Sequence, residues 1–148
     1  MKIAKIQSSG KDGTEKAAIS AAKKAGITIV GWKPKKSESK AKELKETPST
    51  KEEQSTIWNV RDSHATLIFE PMDISPAASL AYEVAESYAR PYVISDNVDE
   101  IKHWIDTLGE EITLNIIGPS EEEYKGISKK VKEVLTEVFA IYNAFFLE

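Results

Sequence analysis

The sequence predicts an α/β domain built on one open, mainly parallel sheet of about five strands with helices on both faces. Three observations predict it. Short apolar runs of strand length alternate with longer amphipathic stretches along the chain. One of the runs, Ala65 to Phe69, is apolar enough to be buried on both faces, as strands in parallel sheets are. The chain has 148 residues, of which 41% are hydrophobic and 30% charged, which suits a single globular domain.

The first strand covers Lys2 to Gln7 and ends in the turn Ser8-Ser9-Gly10-Lys11-Asp12-Gly13. A helix from Thr14 to Ala25 follows. Its alanines at 17, 18, 21, 22 and 25 form a small-residue face that can lie close to a sheet, and Gly26 stops it. A second strand, Ile27 to Val30, runs into Gly31-Trp32 and a lysine-rich polar segment reaching Thr50, long for a loop and expected on the surface. A helix over Lys51 to Asp62 leads to the strand Ala65 to Phe69, expected to be central. After the loop Glu70 to Ser75 come a helix over Pro76 to Ala89, with proline suited to its first turn, and the strand Tyr92 to Ser95. A helix over Val98 to Leu108, a strand Thr113 to Ile117 and a final helix from Glu121 complete a Rossmann-like order with right-handed crossovers.

Composition narrows the chemistry. The chain has no cysteine, which removes disulfides, thiolate metal sites and a cysteine nucleophile. His64 and His103 have no partner at a metal-ligand spacing. A net charge of −4 argues against broad nucleic-acid binding. The start MKIAKI is too short for a signal-peptide core, and no apolar run approaches the roughly 18 residues of a membrane span. The expected setting is cytoplasmic. The final helix carries Ile127, Val131, Val134, Leu135, Val138, Ile141, Tyr142 and Phe145, widened by Phe139 and Phe146. That band is broader than covering one side of a sheet needs, and it predicts a homo-oligomer, a dimer or tetramer.

Ligands of open α/β sheets bind beyond the carboxyl ends of the strands. The turn Ser8, Ser9, Gly10, Lys11, Asp12 and Gly13 has two glycines that let backbone approach a ligand, amides at a helix N-terminus, and positive charge from Lys11 and Lys16. It reads equally as a tight turn with solvated lysines. Trp32, beside Lys35, can stack on a planar ring while lysines attract phosphate, or it can cap the sheet edge. Asn59 and Arg61 lie in the run Trp58-Asn59-Val60-Arg61-Asp62-Ser63, where pairing of Arg61 with Asp62 would fix the connection to the next strand. Glu83, with Ser75 and Ser79 nearer the start of its helix, could serve as an acid or base, or be a solvated helix residue.

The segments SSGKDGTEKAAISAA, GWKPK, ETPS, WNVRDSHATLI, RPYVISD and LNIIGP resemble, in order and spacing, the putative molybdenum carrier family. That family is similar to the wider Rossmann-like group that includes the lysine-decarboxylase-like phosphoribohydrolases. The resemblance covers nearly the whole chain and is most specific at Trp58 to Ser63. It implies a carrier or binding protein for an anionic small molecule, molybdenum cofactor or molybdate, held at the carboxyl ends of the strands. Ser8 and Gly10 to Gly13 keep the family's first-loop frame, while Ser9, Lys11, Asp12, Glu15 and Lys16 replace characteristic residues. Where the family's second loop carries a glycine-glycine-threonine, this chain has Pro76, Ala77 and Ala78, which hinders close approach of a phosphate. The alternatives are a phosphoribohydrolase-like enzyme using Glu83 and Arg61, and a scaffold that works through protein contacts.

Overall fold

The computed structural model describes residues 2–70 and 75–143. The elements in chain order are β1 (Ile3–Gln7), α1 (Thr14–Lys24), β2 (Thr28–Val30), β3 (Trp32–Lys33), β4 (Lys45–Glu46), α2 (Glu52–Arg61), β5 (Ala65–Ile68), α3 (Pro76–Ser87), β6 (Tyr92–Ile94), α4 (Val98–Asp106), β7 (Ile112–Ile117) and α5 (Ile127–Asn143). Five of the strands form one sheet in the order β2-β1-β7-β5-β6, with every pairing parallel. The predicted α/β class and the five predicted strands are those found.

The order has a simple logic. A right-handed crossover puts connections that step one way along the sheet on one face and those that step the other way on the opposite face. The connections through α1 and α4 step toward the β2 edge, and those through α2 and α3 step toward the β6 edge. Accordingly α1, α4 and α5 pack together, as do α2 and α3. Counted from β7 as strand one, the sheet reads 3-2-1-4-5, the doubly wound order, so the last strand fills the place the first strand holds in an ordinary chain of this type.

The core is correspondingly two-sided. Ile6, Leu67, Leu114 and Ile116 face α1, α4 and α5, while Ile68 and Ile117 meet Val60, Ala78, Ala81 and Ala85 of α2 and α3. Ala65 to Phe69 is buried on both faces as expected, but the middle strand is β7. Apolarity reports burial on both faces, and a strand one place in from the edge shares that with the central one.

The final helix begins at Ile127, not Glu121. Residues 121–126 form a turn in which the Glu121 carboxylate accepts the backbone N–H groups of Gly126 and Ser128, supplying acceptors and negative charge at the helix N-terminus. The breadth of the α5 apolar band has an internal use. Ile127, Val131, Leu135, Val138 and Phe139 are buried against α1 and α4, and the Tyr142 hydroxyl reaches Asp106 of α4 at 2.7 Å. Ile141 stays exposed, and Phe145 and Phe146 lie outside the described residues. Among the described residues no helix is long and apolar enough to cross a membrane.

The lysine-rich segment is more ordered than a surface loop. Trp32–Lys33 pairs in parallel with Lys45–Glu46, and Leu44 and Thr47 turn inward to burial. Its entry is fixed by Gly31, at φ 146°, whose Cα passes so close to Ser8 that an added Cβ would overlap the Ser8 carbonyl oxygen. Gly31→Ala is expected to destabilise the fold by about 3 kcal/mol or more, since neither backbone segment can yield without breaking the bond from Ser8 N–H to Val30 O. Gly109→Ala, with open space around it, should stay within about 0.5 kcal/mol of the parent. Denaturant unfolding of both variants checks the pair, and equal losses would contradict the close approach.

Candidate functional site at the carboxyl ends of the strands

Neighbouring connections diverge at β7 and β5, since α5 returns on the α1 face and α3 on the other. Such a switch point is where doubly wound sheets open a crevice. Here the glycine turn and N-terminus of α1 meet the loop after β7. The Pro119 carbonyl oxygen accepts both the Thr14 N–H, at 3.2 Å, and the Thr14 hydroxyl, at 2.8 Å. Gly13 sits at φ 98°, and a Cβ there would lie 2.6 Å from Ser120 Cα. At Gly10, φ 72°, it would lie 2.5 Å from Ser39 Oγ and 2.8 Å from Leu44.

The space that both glycines open is thus occupied by the protein's own chain. The turn is also tied internally. The Ser8 hydroxyl donates to the Glu15 carbonyl at 2.9 Å and accepts the Gly10 N–H, and Ser9 Oγ accepts the Lys11 N–H at 3.4 Å. Lys11 pairs with Glu52 of α2 at 3.1 Å, and Asp12 and Lys16 are exposed.

Polar side chains collect just beneath this junction. Ser9, Glu15, Thr56, Asn59 and Asn115 line a cavity of about 10 Å³, enough for one water-sized group. Glu15 is 4% exposed and its Oε2 has no hydrogen-bond partner among the described residues. Burial, more than any charge, pushes its carboxyl well above the usual carboxylate range; its own backbone amide and Lys11 act in the opposite direction. Asn115 donates to Thr66 Oγ1 at 3.4 Å.

Sequence reasoning left Glu15, Thr56 and Asn115 out of the candidate residues, yet each carried a signal. Glu15 precedes Ala18 and Ala22 by three and seven residues, which puts it on the buried alanine face of α1. Thr56 stands three and four residues before the buried Asn59 and Val60. Asn115 is a lone amide in a buried strand.

The Trp58 to Asp62 run does something else. The Asn59 side chain accepts the Trp32 N–H at 2.8 Å and donates to the Trp32 carbonyl at 2.9 Å, pairing with β3 as another strand would; Gln7 donates to the same Asn59 oxygen at 2.9 Å. The Trp32 indole packs edge-on against Trp58 at 4.8 Å and donates to Asp62 at 2.8 Å. Arg61 lies over the Trp58 ring and pairs with Asp62 at 2.8 Å, holding that carboxyl below its usual value. The run clasps β3 to α2. Beside it is a separate cleft of about 260 Å³, lined by Lys5, Lys45, Glu43 and Asp62 next to Trp32, with Glu43 also paired to Lys23. Lys35 does not line it; that side chain is exposed and its N–H bonds Ser49 O.

On the other face, Ser75 caps α3 by accepting the Ala78 N–H at 3.2 Å and donates to Glu70 at 2.9 Å. Ser79 is half-buried in the first turn and Glu83 is exposed. The loop between Glu70 and Ser75 lies outside the described residues. His64 Nδ1 accepts the Thr113 N–H, and His103 Nδ1 lies 2.7 Å from the Asp99 carbonyl. The structure thus brings Ser9 and Asn59 to the polar cavity, sets Trp32 and Arg61 in the clasp, and leaves Lys16, Lys35 and Glu83 in solvent.

Comparison with known proteins agrees with this topology. A solved structure described as a putative molybdenum carrier protein from Syntrophus aciditrophicus superposes with a TM-score of 0.82 and 28% sequence identity, covering 93% of this chain and 95% of that one. The resemblance read from the sequence is to the same kind of protein. Among curated protein sequences nothing matches. The model of the circularly permutated YpsA SLOG family matches residues 6–139, and a last strand occupying the place of the first is what such a permutation leaves in a doubly wound sheet. The chain belongs to the circularly permutated YpsA SLOG family.

Proposed function

We propose that this chain is a cytoplasmic binding or carrier protein for a small oxyanion-bearing molecule, molybdate or a phosphate-bearing molybdenum cofactor, held at the carboxyl ends of the strands. The observation that carries the reading is the water-sized cavity at the N-terminus of α1, where the Ser9 and Thr56 hydroxyls and the Asn115 amide gather around a carboxyl without a partner. Hydroxyl and side-chain amide groups bind oxyanion oxygens without thiolate or metal ligation. They release them as readily, which suits a carrier. The relative described as a molybdenum carrier supports the same class of cargo.

In the crevice burial favours the neutral form of the Glu15 carboxyl, and the dipole of α1 favours negative charge at its first turn. The glycine turn then acts as the scaffold of the site: its glycines let α1 seat against Pro119 and Leu44, Ser9 lines the cavity and Lys11 stands near it.

Thermal-shift and calorimetric titration with molybdate, tungstate, inorganic phosphate and a pterin phosphate test the proposal. At least one should bind, and Ser9→Ala or Thr56→Val should each weaken it about tenfold, the worth of one hydrogen bond to a charged group. Failure of all four ligands would sink the reading. Gly10 and Gly13 are unsuitable probes, because a side chain at either collides with the protein itself.

The hydrolase alternative needs Glu83 and Arg61, of which one is solvated and the other committed to Asp62. Incubation with nucleoside monophosphates should release no free base above background, and Glu83→Gln should leave binding unchanged. Base release abolished by Glu83→Gln would establish the enzyme instead.

A further inference from the structure

We propose that Glu15 is the ligand-selecting residue of the crevice, donating a hydrogen bond from its carboxyl to an oxygen of the bound oxyanion and making binding proton-linked; the inference rests on the oxyanion reading above. Three features of the site carry it. Glu15 is the second residue of an 11-residue helix, 4% exposed, and its Oε2 is enclosed without a hydrogen-bond partner among the described residues. Buried polar atoms are almost always paired, so one left open beside a cavity marks a place where another molecule's atom belongs. The cavity, at about 10 Å³, takes one such atom.

The second feature is the lining. Ser9, Thr56 and Asn115 can each present an O–H or N–H to that atom. A deprotonated oxyanion oxygen only accepts, so it completes this ring when Glu15 carries its proton and disrupts it when Glu15 is ionised.

The third is the charge around the carboxyl. Lys11 faces it from the glycine turn, Glu52 from α2 and Glu123 from the loop after β7, and Lys11 is already paired with Glu52. An ionised Glu15 would add a third carboxylate to the crevice and repel an anion. Burial first, with Glu52 and Glu123 assisting, keeps the carboxyl neutral above the pH at which a free one ionises. No covalent step is involved; the proton stays on Glu15 in the complex.

The signs follow. Binding holds while Glu15 is protonated and weakens as pH rises through its folded pKa, by up to about tenfold per pH unit. In the free protein the fold keeps a proton that the unfolded chain has released, so stability falls as pH rises above the ordinary carboxyl value, until Glu15 ionises in the fold as well. Glu15→Gln, neutral at every pH and still a donor, should lack both dependences.

The test is calorimetric titration of the wild type, Glu15→Gln and Glu15→Ala with molybdate, inorganic phosphate and a phosphate monoester between about pH 5.5 and 9, a span above the free carboxyl range. Denaturant unfolding of the ligand-free proteins is measured alongside. With molybdate, which stays deprotonated over this span, wild-type affinity should fall at the alkaline end and Glu15→Gln should bind as the protonated wild type does with a flat profile; with the phosphates, which titrate in the span themselves, the fall should show as a difference between the wild-type and Glu15→Gln profiles, and Glu15→Ala should lose tenfold or more. Preference for molybdate assigns the oxygen to the free ion, and preference for the ester assigns it to a phosphate group; either supports the role of Glu15. The stability advantage of Glu15→Gln should grow with pH.

A flat wild-type profile with both variants binding normally overturns the assignment and leaves oxyanion binding standing. No binding by the wild type to any of the three overturns both. If Glu15→Ala does not fold, the wild type and Glu15→Gln profiles decide, and a pH-independent stability difference between them overturns the neutral carboxyl.

Discussion

The passage of β7 through the middle of the sheet is the constraint on which the rest of this structure depends. It brings the last strand between β1 and β5, with Leu114 beside Ile6 and Ile116 beside Leu67, and so joins the two ends of the described chain in one core. Its exit, Gly118-Pro119, has to pass over the start of α1. A Cβ at Gly118 would lie 2.6 Å from Thr14 Oγ1 and 2.7 Å from Phe69 O, so only glycine lets three backbone segments converge there. The two bonds from Thr14 to Pro119 then lock α1 to the strand that packs beside β1.

That junction explains why the glycine turn departs from a simple anion cradle. In an unpermuted doubly wound sheet, the loop after the middle strand is free to hold a phosphate at the following helix. Here the equivalent loop is committed to Gly13 and Thr14, and the turn after β1 is roofed by Ser39 and Leu44. The polar cavity lies further in, among the side chains just beneath. These are mostly groups without formal charge, and burial favours the neutral form of the one carboxyl among them. An acidic protein can accommodate an anion in such a place because the local donors, not its net charge of −4, decide the interaction.

The clasp around Trp32 is a separate structural unit. One Asn59 side chain meets both backbone groups of Trp32, which substitutes for a neighbouring strand at a point where β3 pairs on one side with β4 alone. Trp58, Arg61 and Asp62 then enclose the indole. The residues that carry the family resemblance most specifically are therefore the ones that hold the lysine-rich segment to the domain, and through Leu44 they help to cover the glycine turn.

The sequence by itself determined the strands and helices, since alternation of short apolar runs with alanine-rich and amphipathic stretches depends only on local spacing. It also determined that Arg61 pairs with Asp62, which are chain neighbours, and that Glu83 stands on a helix where a solvated face was open to it. Tertiary structure decided which strand is central, because apolarity does not distinguish the middle place from the one beside it. It decided that Ile127, Val131, Leu135, Val138 and Phe139 of α5 are buried against α1 and α4, a matter of how many helices share that face. Above all it decided the candidate site. Ser9, Glu15, Thr56 and Asn115 come from the glycine turn and three separate elements, α1, α2 and β7, and meet only when β7 enters between β1 and β5, and the raised pKa of Glu15 follows from the depth at which that crossing buries it.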